Sequence, residues 1–247
     1  VPASPRLADA GHNSLHARFT TLTGLIIGHP IGHLLFFLTN FGDPYLTGPL
    51  AAFIFLWLGF IRAWRALITW AICFSTGAAI VAATKVAYAG WGIEVQALHF
   101  TVVSGHTMLA SAVYPTVCAI CATHTRRHSV LNMFLGGLAF ALVIGISRKL
   151  FGFHTTAEVV TGMALGTLVA TLTCAPMFKR QAGYVVEQVT GSARTVALRR
   201  DLTTTYAAIA LAIVVVCHGR IAPVSTWIDM KAPHWQQTIT TKLDDAR

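Results

Sequence analysis

Formally uncharged, largely apolar stretches of about 17 to 20 residues recur along the chain, at 45–61, 66–84, 107–123, 130–146 and 159–178. None shows the strict alternation of a strand. As helices rising 1.5 Å per residue, each has the length needed to cross a hydrocarbon core about 30 Å thick. Two further runs are less regular. The segment 19–41 is interrupted by Gly28, His29, Pro30 and His33, a pattern that suits a span, a re-entrant segment or an interfacial one, and 203–217 is apolar but barely long enough to cross. The pattern predicts an all-α fold, a polytopic membrane helical bundle of about six transmembrane helices, with 203–217 as an extra helix. It divides the chain into a polar N-terminal tail (1–18), a membrane domain (19–178), a basic connector (179–202), the additional span (203–217) and a polar C-terminal tail (218–247), whose 227–234 stretch suits the outer membrane surface. The polar character of 1–20 gives no sign of a cleavable signal peptide.

Composition strengthens the membrane reading: 55% of the residues are hydrophobic and 11% charged, with a mean hydropathy of +0.63. A soluble domain carries about 25% charge. The net charge of +9 is distributed unevenly. If the loops alternate sides, eleven Lys and Arg residues fall on the face carrying 62–65, 124–129 and 179–202, against seven on the other. By the preference of basic residues for cytoplasmic loops, the first face is cytoplasmic. No nucleic-acid partner is expected, because the basic residues come in dispersed pairs rather than a stripe with interleaved aromatics. Cys73, Cys118, Cys121, Cys174 and Cys217 all lie within or at the end of apolar runs and read as small packing hydrophobes. Trp64, Trp70, Trp91, Trp227 and Trp235 read as interface anchors.

The chemistry-bearing residues gather on the opposite face. Ser104, Gly105 and His106 immediately precede the 107–123 run, so their backbone N–H groups belong to a helix N-terminus that favours an anion. At the end of the 130–146 run, Ser147 and Arg148 bring a guanidinium able to grip two phosphate oxygens, with Lys149 as an additional cation. His154 and Glu158 are four residues apart. On a helix opening near His154 they share a face, and the carboxylate can orient the imidazole as an activated nucleophile. Lys85, at the end of the 66–84 run, adds positive charge. Singly, each of these is an ordinary snorkelling or capping residue; their convergence at one membrane face is what points to function.

The pattern resembles the type-2 phosphatidic acid phosphatase superfamily, which shares three signatures: Lys followed after six residues by Arg-Pro; Ser-Gly-His; and Ser-Arg followed after five residues by His and four positions later usually by Asp. Here the second is intact at Ser104 to His106, and the third is Ser147, Arg148 and His154 with Glu158 for Asp. The first is degenerate, since Lys85 is followed by Gly92 and Ile93. The resemblance covers roughly residues 45–178. It implies an inner-membrane phosphatase acting at the outer, periplasmic face without a metal or other cofactor. His154 would attack phosphorus to form a phosphohistidine, with Glu158 orienting it and His106 protonating the leaving oxygen. Lys85, Ser104, Gly105 and Arg148 would hold the other phosphate oxygens, and Lys149 is a candidate for the missing arginine's place. The expected partners are membrane lipids and a lipid phosphate or diphosphate substrate, with polyprenyl (undecaprenyl) diphosphate favoured; no obligate protein partner is evident.

Other readings stand beside this one. A lipid phosphotransferase could use the same intermediate, and the degenerate first signature leaves room for a non-catalytic relative. From a different class, a transporter would use His29, His33 and His99 as an ion path; the absence of an evident inverted repeat and the clustering of ionisable residues at one face speak against it.

Overall fold

The computed structural model describes residues 30–122, 130–187 and 193–224, together with several residues between 226 and 238. The tail 1–18, the beginning of the 19–41 run with His29, and the 124–129 loop lie outside the described residues. Among the described residues the named helices are, in order, α1 (Pro30–Thr39), continued by a 3₁₀ turn over Asn40–Gly42, α2 (Pro44–Phe60), α3 (Trp64–Trp91), α4 (Gly105–Ala122), α5 (Val130–Leu150), α6 (Thr156–Glu187) and α7 (Ala193–Cys217). Extended pairing among the described residues is confined to a single bridge between Val95 and Phe100. The chain is an all-α membrane bundle, as its apolar pattern predicts.

Among the described residues, four helices are long and apolar enough to cross a membrane, at Trp64–Trp91, Gly105–Ala122, Val130–Leu150 and Thr156–Phe178; Pro44–Phe60 and Asp201–Cys217 are shorter apolar helices. Of the 19–41 run, the described part is the ten-residue α1 with its 3₁₀ turn over Asn40–Gly42. Backbone hydrogen bonding also carries helices past the charges that end the apolar runs. α3 continues beyond Lys85 until Gly92, in the left-handed region at φ 64°, caps it. The connector is likewise largely helical: 179–187 extend α6 and 193–202 open α7.

α4 is the central helix, packed between α5 and α6. Small residues make this possible. A Cβ on Gly162 would stand 2.6 Å from the Ser104 carbonyl oxygen, and one on Gly137 would stand 2.7 Å from the Pro115 backbone. Gly166, one turn beyond Gly162, faces the Met108 carbonyl just as closely. Between membrane helices, where lipid removes the hydrophobic drive to associate, such close approach supplies the van der Waals contact that holds the bundle. On α2, Leu46, Leu50, Ile54 and Leu58 form a buried stripe at i, i+4 spacing. Outward positions such as Leu56, Ile72, Leu135, Leu168 and Leu211 remain exposed and apolar, which suits contact with lipid. The protein is an integral membrane protein.

Trp70 corrects the interface reading given to the tryptophans. It is 2% exposed in the core, where its indole N–H donates to the Ala51 carbonyl at 3.1 Å. Trp64, Trp91 and Trp227 are exposed, and Trp235 packs edge-on against Trp227. All five cysteines are free thiols. Beyond α7, Ile228 and Ala232 are buried, and the Ala232 backbone lies close beside Gly90 at the end of α3.

Candidate active site

The spacing of the third signature is a helix stop followed by a helix start. α5 ends at Leu150, and Gly152 adopts φ 71° so that the Gly152 and Phe153 N–H groups turn back to the Lys149 and Arg148 carbonyls. This reversal lays the Phe153 ring against Arg148, whose guanidinium carbon is 4.3 Å from the ring centroid. α6 then opens through a capping box: the Thr155 hydroxyl accepts from the Glu158 N–H, and the Glu158 carboxylate accepts from the Thr155 N–H at 3.1 Å. His154 therefore stands two residues before Thr156, the first residue of α6, rather than on the helix itself.

Glu158, 3% exposed, organises the site. Its Oε2 meets His154 Nδ1 at 2.8 Å. Because a carboxylate only accepts, this contact places the imidazole proton on Nδ1 and leaves the Nε2 lone pair free. Its Oε1 accepts from the Thr101 N–H at 2.9 Å, the Thr101 hydroxyl at 2.5 Å and the Val102 N–H at 3.3 Å. The Glu158 backbone carbonyl takes the Ser104 N–H, and the Val103 N–H reaches the Thr84 hydroxyl, one residue from Lys85. The residues leading into α4 are thus stitched to the first turn of α6 and to α3. Both histidine-bearing segments and Lys85 converge through this stitching, with Arg148 and Lys85 each acting electrostatically on both His106 and His154. Burial pushes the His154 imidazole below its ordinary pKa, outweighing the opposing pull of Glu158. It is therefore neutral near pH 7, the state a nucleophile requires.

Arg148 carries a further sign of an anion site: its Nε is buried with no hydrogen-bond partner among the described residues. A guanidinium N–H seldom goes unpaired in a native interior, and an incoming oxyanion would satisfy it. Ser104 is fully buried, and its hydroxyl pairs with that of Thr107 at 2.9 Å. Gly105 opens α4, and a Cβ there would approach Val81 at 3.3 Å. Lys149 is exposed, turned about 100° round α5 from Arg148. Where Arg-Pro would complete the first signature stands the glycine cap of α3, with Gly92 and Ile93 both exposed. His33 and His99 are exposed, on α1 and in the turn before α4. Among the described residues, no three His, Cys, Asp or Glu side chains group as a metal site.

One residue of the site escaped the sequence reading. Asp43 caps α2 by accepting the Tyr45 N–H at 2.8 Å, and its Oδ2 lies 3.7 Å from His106 Nε2. Its only signal in the sequence is Asp before Pro, an ordinary helix start.

The PAP2 superfamily matches residues 87–182. The "22.5 kDa protein in cps region" of Klebsiella pneumoniae is 34% identical over 131 residues, covering 51% of this chain and 61% of that protein. Phosphatidylglycerophosphatase B of Bacillus subtilis strain 168 is 33% identical over 73 residues, 28% of this chain and 36% of the relative. The chain thus spans less than two thirds of either relative. No solved structure matches it. The matched segment contains Ser104 to His106 and the whole stretch from Ser147 to Glu158, and over it the chain is similar to the PAP2 superfamily.

Proposed function

We propose that the protein is a lipid phosphatase that hydrolyses a phosphate or diphosphate headgroup through a phosphohistidine on His154. The observation that carries this reading is the Glu158–His154 pair at 2.8 Å, beside a guanidinium whose buried Nε lacks a partner. His154 Nε2 attacks phosphorus, and the N–P bond forms as the bond to the leaving oxygen breaks. His106 gives that oxygen its proton. The same imidazole, now neutral, takes a proton from the water that cleaves the N–P bond. Arg148, Lys85 and the Gly105 N–H stabilise the charge on the other phosphate oxygens, and such electrostatic support is the main demand of phosphoryl transfer. The Ser104 hydroxyl joins them after rotating away from Thr107. No step calls for a metal.

Helix ends at the membrane surface can receive a headgroup while its lipid tail stays in hydrocarbon. A polyprenyl diphosphate is the favoured substrate, and the name of the Bacillus subtilis relative brings phosphatidylglycerol phosphate onto the same panel. The excess of basic residues on the opposite face supports a site at the outer face of a bacterial-type inner membrane.

The test is phosphate release by the detergent-purified protein, with chelator present. The panel comprises polyprenyl diphosphate, phosphatidylglycerol phosphate, phosphatidic acid and lipid A. Release is expected from at least one, with inhibition by orthovanadate, loss in His154→Ala and near loss in His106→Ala. Undiminished release from His154→Ala, or strict dependence on Mg²⁺, would refute the mechanism.

A further inference from the structure

Asp43 and His106 are brought together by the fold from positions 63 residues apart. The chain passes against the first turn of α4 at Gly42, where a Cβ would stand 3.0 Å from the His106 Cβ and 3.1 Å from its carbonyl oxygen. The helix start at Pro44 then presents the Asp43 carboxylate, 3% exposed. One oxygen is fully committed: Oδ1 accepts the Tyr45 N–H at 2.8 Å and the Ala222 N–H, from the segment after α7, at 2.9 Å. These two bonds aim the other oxygen, Oδ2, toward His106 Nε2 at 3.7 Å. That separation exceeds a hydrogen bond and leaves a charge contact. A buried carboxylate with one oxygen held by two backbone N–H groups from separate elements is built to be pointed.

His106 needs such a neighbour. Burial of its ring works against an imidazolium, and so do the other charged groups that act on it, the cations Arg148 from α5 and Lys85 from α3. Burial raises the Asp43 pKa, but the contact with His106 and the two backbone hydrogen bonds outweigh it and hold the carboxyl below its ordinary range. Asp43 is therefore anionic at neutral pH.

We propose that Asp43 is a positioning residue for His106, whose negative charge favours the protonated imidazole that donates to the leaving oxygen. The proposal rests on the assignment of His106 as general acid. The site then contains two carboxylate–histidine pairs of different purpose: Glu158 orients the nucleophile, and Asp43 offsets the positive charge that opposes protonation of the acid.

Asp43→Asn tests this, because asparagine caps helices as well as aspartate does and retains the oxygen that accepts from Tyr45 and Ala222. Two substrates are compared in detergent: an alkyl phosphate from the lipid panel, whose leaving oxygen needs a proton, and an aryl phosphate such as p-nitrophenyl phosphate, which leaves without one. The expected result is a fall in kcat of about 10- to 100-fold on the lipid substrate. The alkaline limb of its pH profile should move about one unit toward acid. On the aryl substrate the loss should be no more than about threefold. An unmoved alkaline limb, or equal losses on both substrates, would overturn the role assigned to Asp43 while leaving the phosphatase intact. An unmutated protein inactive on every substrate would overturn both.

Discussion

Replacing Glu158 by Gln keeps the side chain's shape and exchanges one acceptor oxygen for an NH₂ group. Every amide orientation then sets donor against donor. On the Oε1 side the new group meets the Thr101 and Val102 N–H groups, and on the Oε2 side it meets the Thr155 N–H and the His154 Nδ1 proton. One of the two latches must open, and a buried N–H deprived of its acceptor costs about 1–3 kcal/mol, which is the expected loss of stability. The kinetic loss is larger, because the negative charge that sets the His154 tautomer disappears along with the hydrogen bond. By analogy with the carboxylate that orients the histidine of a serine protease, kcat/KM should fall about 10²- to 10⁴-fold, equivalent to about 2.7–5.4 kcal/mol at 1.36 kcal/mol per decade. Glu158→Asp is informative beside it. The shorter arm can keep His154 or the Thr101–Val102 segment, but not both in their present places, so this substitution should lower activity rather than raise it. The assay is lipid phosphate release over a substrate series in detergent, with thermal unfolding of each variant measured in parallel. Glu158→Gln retaining kcat/KM within about threefold of the parent would refute the reasoning.

The acid limb of the pH profile should report His154. Its pKa is lowered by burial, so protonation that blocks Nε2 occurs only below the ordinary imidazole value of about 6.5, and activity should persist through neutrality and fall on the acid side of that value. A limb lying above it would contradict the assignment. At the helix contact, a Cβ on Gly166 would press into the Met108 carbonyl; Gly166→Ala should destabilise the protein by about 1–3 kcal/mol in thermal unfolding. Unchanged stability would show that α4 and α6 do not pack this closely.

Much of this protein is legible in its sequence, because a bilayer imposes one strong rule. Spanning segments must satisfy their backbone internally and present apolar side chains, so the runs at 45–61, 66–84, 107–123, 130–146 and 159–178 mark α2 to α6 directly. The pairing of His154 with Glu158 is equally local, set by four residues' spacing and a capping box. Hydropathy fails where length is governed by something else. It ends a span at Lys85, whereas the helix ends where Gly92 supplies a left-handed cap, and it places Trp70 at an interface although its partner is the Ala51 carbonyl in the core. What only the tertiary structure decided are the contacts between elements. Glu158 reaches Thr101 and Val102 because Gly162 and Gly166 let α6 approach α4, and Asp43 meets His106 because Gly42 lets the chain pass against α4. A side chain's chemical type is written in the sequence, but its electrostatic partner depends on which helix ends the packing brings within a few ångströms of one another.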